Sequence, residues 1–208
     1  MKKLLLLFAF TLGTVLPASA AFAISLSLIP SATIINPGDP VTVDVNVGGL
    51  SNGATPSLGA FLVEVIFDPK VLTFHSETYG DFLGDTDPLA FEADIITLLA
   101  VGSVSLDEVS FLLDVELNAL QSDSFTLATL SFLGNNMGTT LLTFGHVDLS
   151  DAAFMANSLF VDRFHAVSVT VESSRQSPTN PIPEPSTLFL LGNGLAGLAA
   201  WRHRPFRY

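Results

Sequence analysis

Val41, Val43, Val45 and Val47 alternate without a break with Thr42, Asp44 and Asn46. An apolar period of two is satisfied by an extended strand with one buried face and by no helix. The pattern recurs along the chain. Phe61, Val63, Val65 and Phe67 form a second such run, which reaches an Asp68-Pro69 turn and continues into Val71-Leu72-Thr73-Phe74. A third is expected to place Val109, Phe111, Leu113, Val115 and Leu117 inward, with Glu108, Ser110, Asp114 and Glu116 facing water. Ala128, Leu130 and Phe132 mark a fourth, Leu142 with Phe144 a fifth, and His165, Val167, Val169 and Val171 a last. Asn36-Pro37-Gly38-Asp39, Gly48-Gly49 and Gly134-Asn135-Asn136 supply the turns between them. No long helical period interrupts the series, so the expected fold is all-β, an antiparallel β-sandwich or jelly roll.

Such a fold must be held by its core alone, because the chain of 208 residues has no cysteine and hence no disulfide or thiolate chemistry. The expected domain, residues 24–174, is long enough for one substantial core. It carries nineteen of the twenty acidic residues but only Lys70 and Arg163 as basic ones, a net charge of −17 against −12 for the whole chain. No basic cluster exists to neutralise phosphates, which excludes a nucleic-acid partner. The surface suits solubility outside the cell, divalent cations or a basic partner.

Both ends differ from this middle. Lys2 and Lys3 precede an apolar run from Leu4 to Leu16, and small residues then offer cleavage after Ala20 or Ala23. Residues 1–23 are therefore read as a secretory signal peptide. Residues 175–182 form a linker, and Pro183, Glu184 and Pro185 precede a nearly continuous apolar stretch over 186–201. Sixteen residues at ~1.5 Å each give a helix of roughly 24 Å, just short of a ~30 Å hydrocarbon layer. Arg202, Arg204 and Arg207 in the basic end, 202–208, can snorkel to the headgroups and would stay cytoplasmic, leaving everything before Pro183 outside. The expectation is a C-terminal transmembrane helix that anchors the chain at least transiently.

The order breaker motif, apolar helix, arginine-rich end resembles the tails of PEP-CTERM proteins of exopolysaccharide-producing bacteria. Pro183, Glu184, Pro185, Ser186 and Thr187, then Leu188 to Ala200, carry the likeness. Asn193 interrupts the apolar run, and Phe206 and Tyr208 dilute the basic end. The resemblance implies recognition by exosortase, a membrane protease-transpeptidase that processes such proteins near the motif. It places the mature protein at the surface or in the extracellular matrix of a Gram-negative-type bacterium.

The domain resembles a second group, the cohesin-like modules, whose sandwich is shared with some carbohydrate-binding domains. The likeness rests on Leu26 to Ile29, on Pro37-Gly38-Asp39 before Val41 to Val47, and on Gly59-Ala60-Phe61 through Phe67-Asp68-Pro69 to Phe74. Leu127 to Phe132, Gly138 to Phe144 and Val147-Asp148-Leu149-Ser150-Asp151 extend it. Cohesins of the cellulosome bind dockerin modules, and no dockerin-contacting pattern transfers to this chain residue by residue.

Chemistry is sparse. His75, His146 and His165 are far apart in sequence, His165 stands in the apolar register of its strand, and Ser150-Asp151 lacks a nucleophile elbow. The domain is accordingly read as non-catalytic, with no cofactor required. Asp81, Asp85 and Asp87 put three carboxylates within seven residues and are the candidate ligands for Ca²⁺. Their spacing departs from an EF-hand, and a polar turn is the competing reading. Tyr79 beside Gly80 and Phe82 is the one candidate platform for stacking a sugar ring. The function expected from all this is an exported binding or scaffolding module, with an exopolysaccharide or an exported protein as partner. The alternatives are a carbohydrate-binding domain and a calcium-stabilised adhesion module.

Overall fold

Eleven strands and one short helix make up the domain in a computed structural model that describes residues 23–173, except 52, 54–55 and 153–156, together with Asn193 and Leu195. The chain divides into two compact units, Met1–Glu172 and Ser173–Tyr208. In order, the first contains β1 (Ile24–Pro30), β2 (Ile34–Ile35), β3 (Pro40–Gly48), β4 (Leu58–Ile66), β5 (Leu72–Tyr79), β6 (Ala93–Ala100) and β7 (Ser103–Ser110). Then come α1 (Asp114–Leu120), β8 (Ser124–Gly134), β9 (Gly138–Asp151), β10 (Val161–His165) and β11 (Val167–Val171). Of the expected signal peptide only Ala23 is among the described residues, and of the expected linker and tail beyond Ser174 only Asn193 and Leu195, which have helical backbone. Among the described residues no helix is long and apolar enough to cross a membrane.

The strands pair into a sheet of five, β10-β1-β3-β8-β5, and a sheet of six, β2-β11-β9-β4-β7-β6. Two pairs are parallel, β1 with β10 and β2 with β11, each at a sheet edge; the other described pairs are antiparallel. The valines of β3 and Phe61, Val63 and Val65 of β4 are all buried, as their alternation requires. Phe67 and Phe74 pack edge-on against Phe132 of β8, with ring centres 5.0 and 5.8 Å apart. A bulge in β8 skips Leu127, so that Leu127 and Ala128 are both buried and the inward phase resumes at Leu130 and Phe132. The turn before β3 closes as its sequence implies: Gly38 takes φ +87°, and the Asp39 carboxylate accepts from the Asn36 N–H and side-chain amide.

Two expectations are corrected. The strand expected over 109–117 does not exist. β7 ends at Ser110, and its inward residues are Val104, Leu106 and Glu108, whereas Val109, Phe111, Leu113 and Val115 are exposed. The chain leaves the sheet where the Ser110 hydroxyl accepts the Leu112 N–H, and Glu116 then accepts the Leu113 N–H to start α1. Leu113 and Leu117 fit the alternation, but with Leu120 they also stand at i, i+4 and i+7, and the helical reading wins with Leu117 as its buried contact. His165 is the other correction. It ends β10 beside Ser27 and is exposed, because the chain shifts strands at Ala166 and only Val169 and Val171 of the final run are fully inward.

Candidate binding face

Large apolar side chains are exposed along β6 and in the segments that flank β6 and β7, with acidic residues among them. β6 lies at the edge of the six-stranded sheet and pairs only with β7, in eight consecutive register pairs from Ala93↔Ser110 to Ala100↔Ser103. Its Ile96 and Leu98 sit on the outer face with Ser105 and Asp107 of β7. Ile95 and Leu99 share the side of Val104 and Glu108 but remain partly exposed, and Val101 at the hairpin tip is 95% exposed.

The other end is set by the loop between β5 and β6. Asp85 donates its N–H to the Glu92 carboxylate, the Asp87 N–H meets Asp85 Oδ1 at 2.8 Å, and the Leu89 N–H meets Asp87 Oδ1 at 2.9 Å. Phe91 follows with φ +57° and is 77% exposed, and the neighbouring Glu92 carbonyl accepts the Phe111 N–H. Leu89, Phe91, Phe111, Leu113 and Val115 all show large apolar side chains to solvent. A buried glutamine ties the region together: Gln121 accepts the Leu58 N–H and donates to the carbonyls of Leu58 and Phe82.

The Asp81, Asp85 and Asp87 carboxylates thus occupy one loop, with Asp85 and Asp87 engaged in closing it. Among the described residues no three His, Asp or Glu side chains converge as a metal site would require. The most unusual acid is one that the alternation had placed outside. Glu108 is 1% exposed and neither carboxyl oxygen has a hydrogen-bond partner. Burial, reinforced by the charge of Asp81, pushes its pKa from the ordinary carboxylate range to about 8. Asp107, next in sequence, is also raised, by burial and then by Asp94.

Tyr79 is not a sugar platform. Its ring is buried and stacks on Phe61 at 6.3 Å, and its hydroxyl donates to the Ile96 carbonyl and meets Thr97 Oγ1 at 2.9 Å. At the end of β5 it occupies an inward position and pins the β6 edge strand across the sandwich. Burial raises its phenol above the usual value. His75, His146 and His165 are carried by β5, β9 and β10. The sorting-motif residues Pro183, Glu184 and Pro185 and the arginines Arg202, Arg204 and Arg207 lie outside the described residues.

The apolar face itself had no counterpart in the sequence reading. One signal for it was present: no Lys or Arg occurs between Lys70 and Arg163, so β6 and β7 have no basic side chain to cover or guard them.

Comparison with known proteins agrees with both halves of the chain. Residues 181–204 match the PEP-CTERM protein-sorting motif. No curated protein matches the sequence. Among solved structures, a type II cohesin domain from the cellulosome of Acetivibrio cellulolyticus is similar at 15% identity, over 71% of this chain and 95% of that one, with a TM-score of 0.57. The CaCohA2 module of Clostridium acetobutylicum is similar at 21% identity over 73% and 92%, with a TM-score of 0.55. A type I cohesin–dockerin complex from Clostridium thermocellum contains a chain similar at 12% identity over 76% and 98%, with a TM-score of 0.55. The domain has the cohesin fold, and the chain ends in a PEP-CTERM sorting motif.

Proposed function

We propose that this chain is an exported, non-catalytic binding or scaffolding module, with residues 24–174 as its working domain and residues 183–208 as its sorting signal. In this reading an exosortase-type enzyme recognises Pro183, Glu184 and Pro185 while Arg202, Arg204 and Arg207 hold the tail at the cytoplasmic face. The processed protein then works at the cell surface or in the exopolysaccharide matrix. The observation that carries the reading is the pairing of a PEP-CTERM motif at residues 181–204 with a cohesin fold. Deleting residues 183–208 tests the delivery. The shortened protein is expected in the medium and the full chain in the envelope, and identical distributions would count against the proposal.

The partner is a protein. The exposed group Leu89, Phe91, Phe111, Leu113 and Val115 is large for a solvated surface and is bordered by Asp85, Asp87, Glu92, Asp114 and Glu116. A complementary surface has an apolar centre and Lys or Arg at its rim. A similar fold appears in a solved cohesin–dockerin complex, which supports a protein rather than a glycan. Phe91→Asp with Phe111→Asp is expected to abolish capture of the partner that copurifies with the unaltered chain, without changing its melting temperature. Saturable binding of polysaccharide that survives the double change would favour the carbohydrate-binding alternative.

A further inference from the structure

Four strands form the edges of the two sheets, and three of them are guarded. β2 has two residues, β10 has five and carries Asp162 and Arg163, and β5 has a bulge between Phe74 and Ser76 followed by Glu77. β6 is neither short nor bulged, and its one charge lies near its start. It is eight residues long and keeps unbroken register with β7, and Asp94 is the one charge in Ala93-Asp94-Ile95-Ile96-Thr97-Leu98-Leu99-Ala100. Such an edge is a template for another strand.

The sequence of this edge also says which strand fits. Counting outward from Thr97, Ile96 answers Leu98, Ile95 answers Leu99, Asp94 answers Ala100 and Ala93 answers Val101. Positions equally distant from Thr97 point to the same face, so a two-fold axis through Thr97 sets each apolar residue opposite another in an antiparallel pair. The two Asp94 carboxylates then stand six positions apart, about 20 Å, well beyond the ~8 Å screening length at physiological salt. Ile95, Ile96, Leu98, Leu99 and Val101 line this edge with exposed apolar side chains on both faces, whose flanks a paired strand would cover.

We propose that β6 is a self-association edge, at which two copies of this chain join their six-stranded sheets into one continuous sheet of twelve. The occupant is a second copy, because a strand that is its own complement about Thr97 needs no other partner to satisfy it.

The full exported chain, tail included, is taken into detergent from the envelope of an expressing cell, and its mass is followed by sedimentation between ~1 and ~50 µM. A reversible dimer is expected. Ile96→Lys/Leu98→Lys changes two exposed side chains and sets Lys directly opposite Lys at both outer-face pairs; dimerisation is expected to weaken at least tenfold. Ile96→Glu/Leu98→Glu should do the same, and mixing the two variants should restore pairing. As a second measurement, chains carrying Ile96→Cys and Leu98→Cys, each the single thiol of its copy, are expressed together. The two stand opposite each other on the outer face and should cross-link in the intact envelope, whereas Asp162→Cys on β10 should not. Failure of the first pair to cross-link counts against the proposal. A monomer throughout the range, whether from a bare edge or from the apolar tail covering β6 in the same chain, overturns the proposal. So does a dimer indifferent to the lysines, or a mixture of variants that fails to pair.

Discussion

Glu108 has its carboxyl inside the sandwich with no hydrogen-bond partner and a pKa near 8, against an ordinary value of 4.5 in the unfolded chain. The folded state therefore keeps a proton that the unfolded state has released. Stability is fully present below about pH 4.5, falls by about 1.4 kcal/mol per pH unit as pH rises toward 8, and levels off above it. Glu108→Gln removes the charge but keeps the shape. It is expected to flatten this dependence and to raise the denaturation midpoint most at pH 8, which urea titrations at several pH values would read. Gln121 is the opposite kind of buried polar group, fully used. Gln121→Ala strands the Leu58 N–H and two carbonyls, and equilibrium unfolding should show a loss of about 2–4 kcal/mol. Gly80 answers to space rather than to charge. A Cβ there would lie 2.3 Å from the Thr126 carbonyl oxygen, so Gly80→Ala forces β5 and β8 apart locally. Neither the proton on Glu108 nor the bonds of Gln121 could be read in advance, since both depend on what faces them across the sandwich.

At the scale of elements, alternation identified β3, β4 and β8 because each is central and has one face wholly inward. It failed at 109–117. There a strand, a short extended stretch and a helix share a segment whose apolar residues suit either period, and tertiary packing chose between them. The choice inverts the faces of β7, which sets up a direct comparison. Val109→Thr should change stability by less than about 0.5 kcal/mol, whereas Leu106→Ala, three residues earlier and fully buried, should cost about 2–5 kcal/mol by denaturant unfolding. Equal effects would restore the face originally expected. β6 escaped notice for a related reason. Ile95-Ile96 and Leu98-Leu99 show no period of two, since an edge strand that overhangs its partner sheet has no single wet side.

At the scale of the whole molecule, the charge of −17 on the domain, with Lys70 and Arg163 alone to offset it, makes self-repulsion a standing cost. Moderate salt screens it, so the melting temperature should rise by a few degrees between low and physiological ionic strength, followed by circular dichroism. The same screening should tighten pairing at β6, because association brings two strongly acidic domains together.

By itself the sequence determined the class of fold and the sorting motif at the C-terminal end. Period-two alternation, turn residues and a short apolar segment ending in arginines are local properties of the chain, legible without knowing what packs on what. Only the tertiary structure decided which apolar residues remain outside, which acid lies inside, and where the sheet stays open. Burial at an edge depends on whether an opposing sheet extends that far, and no stretch of sequence carries that information about itself.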